Sequence, residues 1–190
     1  MYYLMKNVYR LLSTLTLLIT LSTAYAQKIT MELIKYSNNS SLPTYTAPIP
    51  VTSAQYSFSQ TLNLSSQSSG TGAGKATFLP MVITKQVDGS TASLQTSLFT
   101  GAPYQYVRLS FYRADGTLAY RVVLGLVAVS NYSASGATGC TSGCPTLSET
   151  VNFEYGAVAT YDPTANTIVR WSRITNTSNS NDTPDSVIKP

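Results

Sequence analysis

The chain offers few side chains that could carry out catalysis. It contains no histidine, so the usual general base near neutral pH is missing and its serines have no histidine partner. Among its eight carboxylates, Glu149 and Glu154 could act as a pair on a glycosidic bond only if they faced each other across one cleft. Their odd spacing in one predicted strand places them on opposite sides of it. We therefore expect no enzyme, no catalytic residue, and no metal or other cofactor.

A glycine-rich loop at residues 70–75, GTGAGK, invites comparison with phosphate-binding loops, in which backbone N–H groups point at phosphate oxygens. A Walker loop also needs a glycine five residues before its second glycine, and a serine or threonine after its lysine. This chain has Ser69 and Ala76 at those positions. The residues that follow have the pattern of a strand, whereas a Walker loop leads into a helix. We expect a flexible loop between strands rather than a nucleotide site.

The first 26 residues have the pattern of a Sec-type signal peptide. Lys6 and Arg10 supply the basic start, residues 11–21 form an apolar run, and a small-x-small cleavage signal ends at Ala26. The apolar run is shorter than the roughly 20 residues that span a bilayer. We expect cleavage between Ala26 and Gln27. The product would be a secreted or periplasmic bacterial protein without a membrane segment.

Cys140 and Cys144 are the only two cysteines. In an exported chain, two neighbouring cysteines are expected to join in a disulfide. A redox-active pair is the alternative, but the C-x-x-x-C spacing is not set in a thioredoxin-like βαβ pattern. Zinc would need further cysteine or histidine ligands, which the chain lacks. The sequence therefore favours a structural disulfide.

Composition argues against a nucleic-acid or membrane partner. The formal net charge is +4, and it falls to +2 when Lys6 and Arg10 leave with the signal peptide, which is too weak to attract either. Only 11% of the residues are charged, and polar uncharged side chains take their place. Such a surface suits a secreted protein, or one that packs edge to edge with copies of itself. The 14 tyrosines leave a sugar-stacking surface open as an alternative to packing at the rim of a core.

The rest of the chain is dominated by strand-like patterns. Apolar and polar residues alternate as in half-buried strands, whereas residues 118–131 are almost continuously apolar and predict a central strand, with Gly125 as a candidate bulge. Long loops are expected at 65–75 and 133–145. Many short strands with turns between them favour an all-β sandwich or small barrel. The predicted strands cover residues 28–35, 51–64, 78–84, 107–112, 118–131, 147–161 and 167–173.

One short helix interrupts the strands, around residues 90–100. Ser90 or Thr91 can cap its start, Leu94 and Leu98 share one face, and Gly101 ends it. After residue 173 the chain is rich in Asn, Ser, Thr, Asp and Pro, so residues 174–190 are predicted to be a disordered polar tail.

An ordered series of motifs from about Lys28 to Tyr161 resembles the Hcp tube proteins of bacterial type VI secretion. The family has a serine-rich strand, a glycine loop that ends in Ala-Gly-Lys, a T-K-x-x-D-x-S-T segment, and a helix that ends at a glycine. Strands of the V-x-V-S-S and L-x-E-x-V types follow. The matching residues are 56–59, Gly72 to Lys75, Thr84-Lys85, Asp88, Ser90-Thr91, Gly101, 107–113, 126–132 and 147–153.

The resemblance implies an Hcp-like β-barrel over residues 27–173, with the helix on its side. It also implies a homohexameric ring that stacks into tubes and shelters or carries small effector proteins. The loop with Gly70, Gly72, Gly74 and Lys75 is then the candidate for contact between rings. The signal peptide departs from the family, whose members load from the cytoplasm, so this ring could act within the apparatus or outside it. The alternative is a secreted β-sandwich that works as an adhesin or glycan-binding module.

Overall fold

The structure is a computed structural model that describes residues 27–60, 62–63, 72–73, 76–138, 146–178 and 181–190. Within these residues the chain is mostly β-strand. The strands are β1 (Lys28–Lys35), β2 (Ile49–Val51), β3 (Ser53–Gln55), β4 (Phe58–Ser59), β5 (Leu62–Asn63), β6 (Gly72–Ala73), β7 (Thr77–Phe78), β8 (Met81–Gln86), β9 (Tyr104–Tyr112), β10 (Leu118–Ala137), β11 (Thr146–Asp162) and β12 (Thr167–Ser172). The helices are α1 (Thr91–Thr100) and α2 (Asp185–Ile188). In the described part of the chain, neither helix is long and apolar enough to cross a membrane.

The main sheet closes on itself as a barrel. Its strands run in the order β2-β1-β9-β10-β11-β8-β3, and all its pairings are antiparallel. Only Thr52 separates β2 at one end of this path from β3 at the other, and its N–H donates to the carbonyl of Thr84 in β8 at 2.8 Å. The two ends of the sheet are therefore joined. The sequence left barrel and sandwich open, and the structure shows the barrel.

Alternating side chains of the strands fill the barrel. Met31 of β1, Leu109 of β9 and Phe153 of β11 are fully buried in one apolar core. Helix α1 covers this core through Leu94, which is also fully buried. The predicted helix is confirmed: it begins after Ser90 and ends at Gly101, whose φ of 69° is a left-handed conformation that glycine adopts without steric cost.

The longest hairpin differs from the prediction at its tip. Residues 133–137 continue β10 instead of starting a loop, and they pair with residues 146–150 of β11. Residues 133–137 are exposed, so serines and alanines suit this part of the strand. Cys140 and Cys144 lie outside the described residues, so their disulfide stays a prediction.

Gly125 does not form a bulge. The register of β10 with β9 and β11 is unbroken at this position, and the shift against β11 falls between Val129 and Asn131. A side chain at Gly125 would place its Cβ 2.5 Å from the carbonyl oxygen of Asp182. Glycine is therefore needed here because a second stretch of backbone crosses the strand.

Residues 181–190, the last part of the predicted polar tail, lie against the outer face of the barrel. We call this segment the strap. Its Ile188 is fully buried in a second apolar cluster with Val123 of β10 and Ala159 of β11. The composition suggested disorder because the segment is mostly polar, but its few apolar side chains and its backbone carbonyls find partners on distant strands.

Candidate functional site

A buried ion pair joins β8 to β11 at the end of the barrel near helix α1. Lys85 and Glu149 are directly opposite each other in the strand register, and their side chains are 0% exposed. The Lys85 Nζ lies 2.6 Å from Glu149 Oε1 and 2.7 Å from Asp88 Oδ1. Two carboxylates thus lie against one buried ammonium. Such close opposite charges are needed to offset the cost of removing the ammonium from water.

The residues that begin helix α1 belong to the same polar network. Asp88 accepts hydrogen bonds from the backbone N–H and the hydroxyl of Ser90, at 2.8 and 2.6 Å. Burial alone would raise the pKa of Asp88, but the hydrogen bonds from Lys85 and Ser90 hold it below its usual value. The Asp88 carboxylate therefore stays ionised and fixes the turn that leads into the helix.

Glu149 is the centre of the network. Its Oε2 accepts hydrogen bonds from the Thr91 hydroxyl at 2.9 Å and from the Tyr132 hydroxyl at 2.7 Å. Burial and the neighbouring Glu149 raise the pKa of Tyr132, so this phenol stays a donor. Strands β8, β10 and β11 and the start of α1 are thus held together at one carboxylate.

Glu154 occupies the opposite face of β11, as its odd spacing from Glu149 predicts. Its carboxylate accepts a hydrogen bond from Arg173 at 3.1 Å and is partly exposed. The two glutamates share no cleft, and each is bound to a cation. The arrangement needed for glycoside hydrolysis is therefore not formed by this pair.

A shallow cleft of about 600 Å3 lies beside Glu154 on the outer surface. The Arg173 guanidinium sits 5.8 Å from the ring centre of Phe78 and 5.6 Å from that of Tyr155. Phe78 also contacts Phe58 of β4, ring centre to ring centre, at 5.2 Å. Phe58, Phe78 and Tyr155 thus form an aromatic row. This row connects the barrel to a two-stranded ribbon that begins with β4 and β7 and leads to the glycine loop.

That ribbon consists of two short antiparallel pairs. Phe58 of β4 pairs with Phe78 of β7, and Asn63 of β5 pairs with Gly72 of β6. Gly70, Gly74 and Lys75 lie outside the described residues, so the structure places only Gly72 of the candidate contact loop. The next described element is strand β7, as the sequence indicated, and not the helix that a Walker loop requires. No group of three or more potential metal-ligating side chains occurs among the residues that the structure describes.

Lys85 and Glu149 lie within the Hcp-like motifs, but their burial as a pair was not predicted from the sequence. The signal was present: Met81, Ile83 and Lys85 alternate along β8, so the lysine follows two core residues on the inward face. Glu149 precedes Val151 and Phe153 in the same way. An alternating strand pattern that runs from apolar residues into a charge predicts a buried, paired charge.

The comparisons with known proteins agree with this geometry. The sequence model of a family described as "Type VI secretion system effector, Hcp" matches residues 27–161. This range spans strands β1 to β10, all of β11 but its last residue, and helix α1. The chain belongs to the Hcp family. No curated protein matches it.

Solved structures share the Hcp fold with this chain. A type six secretion system protein is 24% identical, with a TM-score of 0.63 over 80% of this chain and 99% of its own. An Hcp protein from Salmonella typhimurium is 16% identical, with a TM-score of 0.60 over 81% and 99%. A secreted Hcp protein from Pseudomonas aeruginosa is 18% identical, with a TM-score of 0.53 over 77% and 98%. The Hcp barrel, rather than an unrelated secreted sandwich, is the fold of this chain.

Proposed function

We propose that this protein is an exported structural subunit that assembles as a six-membered ring, and that its rings stack into tubes. The observation that carries the proposal is the family match over residues 27–161, joined to a barrel that is closed and capped by one helix. A tube subunit works by assembly, so no residue needs to turn over a substrate. The buried network at Glu149 then serves to hold the helix and three strands in a fixed relation.

Contact between rings is assigned to the ribbon β4–β7 and to its loop with Gly70, Gly72, Gly74 and Lys75. The aromatic row beneath it supports this assignment because it ties the base of the ribbon to the barrel wall. Small effector proteins are the proposed cargo of the ring. Neither nucleic acid nor a membrane is proposed as a partner.

Export is proposed through the leader at residues 1–26, with cleavage between Ala26 and Gln27. The family match begins at residue 27, where the leader pattern ends, and this coincidence supports the boundary. In an oxidising compartment Cys140 and Cys144 would join at the tip of the β10–β11 hairpin. The mature ring would then work in the periplasm or outside the cell.

Light scattering of the exported protein, without reductant, tests the assembly. A mass six times that of one chain, or a larger multiple of six, is expected. Lys75→Glu should leave single rings intact but shorten their stacks, whereas Lys28→Glu, at the start of β1, should leave the stacks unchanged. A chain that stays monomeric at all concentrations would refute the ring, and stacks that persist in Lys75→Glu would count against the contact loop.

A further inference from the structure

Gln27 immediately precedes the first strand of the barrel and is exposed. The pairing of β1 with β9 begins one residue later, at Lys28 opposite Tyr112. The backbone nitrogen of Gln27 therefore lies outside the strand ladder. If this residue becomes the N-terminus, both its α-amine and its side-chain amide are free to rearrange.

We propose that Gln27 is a modification site and that the mature chain begins with pyroglutamate. This inference rests on the proposed export, because cleavage after Ala26 is what makes Gln27 the first residue. The α-amine nitrogen attacks the side-chain amide carbon Cδ, the bond from Cδ to the amide nitrogen breaks, and that nitrogen leaves as ammonia. The amine gives up a proton to the departing group, so the step consumes no other reactant. The product is a neutral five-membered lactam.

The surroundings of Gln27 favour the neutral product. Gln27 lines a surface cleft together with Lys28 and Arg113, two cationic side chains, and with the aromatic residues Phe111 and Tyr112. The Lys28 ammonium lies 4.9 Å from the centre of the Tyr112 ring. A new α-ammonium would be a third positive charge at this rim, and like charges disfavour the protonated form of an amine. The unprotonated amine is the form that attacks, and the lactam that it forms carries no charge.

The modification would protect the edge of the barrel. An aminopeptidase that removed Gln27 and Lys28 would next reach Ile29, which pairs with both Val51 of β2 and Phe111 of β9. A lactam has no free α-amine for such an enzyme to bind. The step therefore fits a protein that works outside the cytoplasm, where it is exposed to peptidases.

The test is the intact mass of the exported protein, expressed as the full chain in a bacterium with a Sec pathway and reduced before measurement. The expected mass is that of residues 27–190 less one ammonia, about 17 Da. Gln27→Asn is the matched control, because its shorter side chain cannot close the same ring and should leave the full mass of its own residues 27–190. Peptide sequencing by fragmentation should place the loss of ammonia at the first residue.

The possible failures are distinguishable. A chain that begins at Gln27 and keeps its full mass after incubation at neutral pH would overturn the modification and leave the export proposal standing. A chain that begins at another residue, or that retains residues 1–26, would contradict the proposed cleavage and the modification with it.

Discussion

Replacing Glu149 with glutamine should destabilise the barrel far more than the same substitution at Glu154, on the same strand. Glu149→Gln keeps the size and the hydrogen-bonding oxygen of the side chain, so Thr91 and Tyr132 keep an acceptor. It removes the charge that lies 2.6 Å from the fully buried Lys85 ammonium. Breaking a buried ion pair costs about 3–5 kcal/mol because it leaves an uncompensated charge. Asp88 still faces Lys85 at 2.7 Å, so we expect the lower end, about 3 kcal/mol.

Glu154→Gln is the control. The side chains of Glu154 and Arg173 are both partly exposed, and such ion pairs contribute about 0–1 kcal/mol to the free energy of unfolding. The free energy of unfolding of both variants should be measured by urea titration at one protein concentration. The free energy of unfolding of a domain of this kind is about 5–15 kcal/mol, so the loss in Glu149→Gln would shift the urea midpoint of unfolding by a large amount. Losses below about 1 kcal/mol in both variants would refute the structural role of the buried pair.

Three further predictions concern the strap and the helix start. Ile188→Ala should lower the free energy of unfolding by about 2 kcal/mol, because removing this fully buried side chain leaves a cavity. Val169→Ala, at a largely exposed position, should change it little. Equal effects of the two substitutions in thermal unfolding would contradict the packing of the strap. Gly125→Ala should displace the strap from β10, because the new Cβ would lie 2.5 Å from the Asp182 carbonyl oxygen. The displacement should be detected as faster amide hydrogen exchange in residues 181–190. Unchanged exchange in these residues would contradict the close approach. Because the folded state lowers the pKa of Asp88 below its ordinary value of 3.8, this carboxylate stabilises the fold at higher pH, and the contribution is lost as the pH falls below 3.8. Asp88→Asn should therefore lose less stability than the parent between pH 5 and 3. Identical acid titrations of the two proteins would contradict this.

Much of the local structure could be predicted from sequence because its causes are local. Helix α1 ends at Gly101, as the glycine there predicts. It begins after Ser90, but the capping hydrogen bond expected from Ser90 is not formed, because its hydroxyl donates to Asp88 instead. The turn at Asp88 follows from the same kind of signal. Strands such as β1 and β12 appear at the predicted positions because alternation along a half-buried strand is visible within eight residues.

The features that the sequence did not reveal depend on partners far apart in the chain. The strap is ordered because Arg121 donates to the carbonyl of Ile188 at 2.8 Å and Arg108 to that of Val187 at 3.2 Å, contacts that span 67 and 79 residues. The composition of the strap does not predict these contacts, because both arginines lie on strands far away in the sequence. The closure of the barrel at Thr52 is likewise a pairing between two strands that local patterns treat separately.

Gly125 shows the same limit within one strand. A glycine in an apolar run signals either a bulge or a close approach of another backbone, and the sequence alone does not decide between them. The decision comes from the backbone of Asp182, 57 residues later in the chain, that crosses it. The buried charge of Lys85 is different, because its place in the alternation of β8 was already visible.

Negative-stain imaging can show whether the exported chain forms the proposed ring of six subunits. The protein is purified from outside the cytoplasm and imaged at several concentrations without reductant. Class averages with sixfold symmetry and a central opening, alone or stacked along one axis, are the predicted result. Uniform small particles of a single barrel, at every concentration, would contradict the proposed ring.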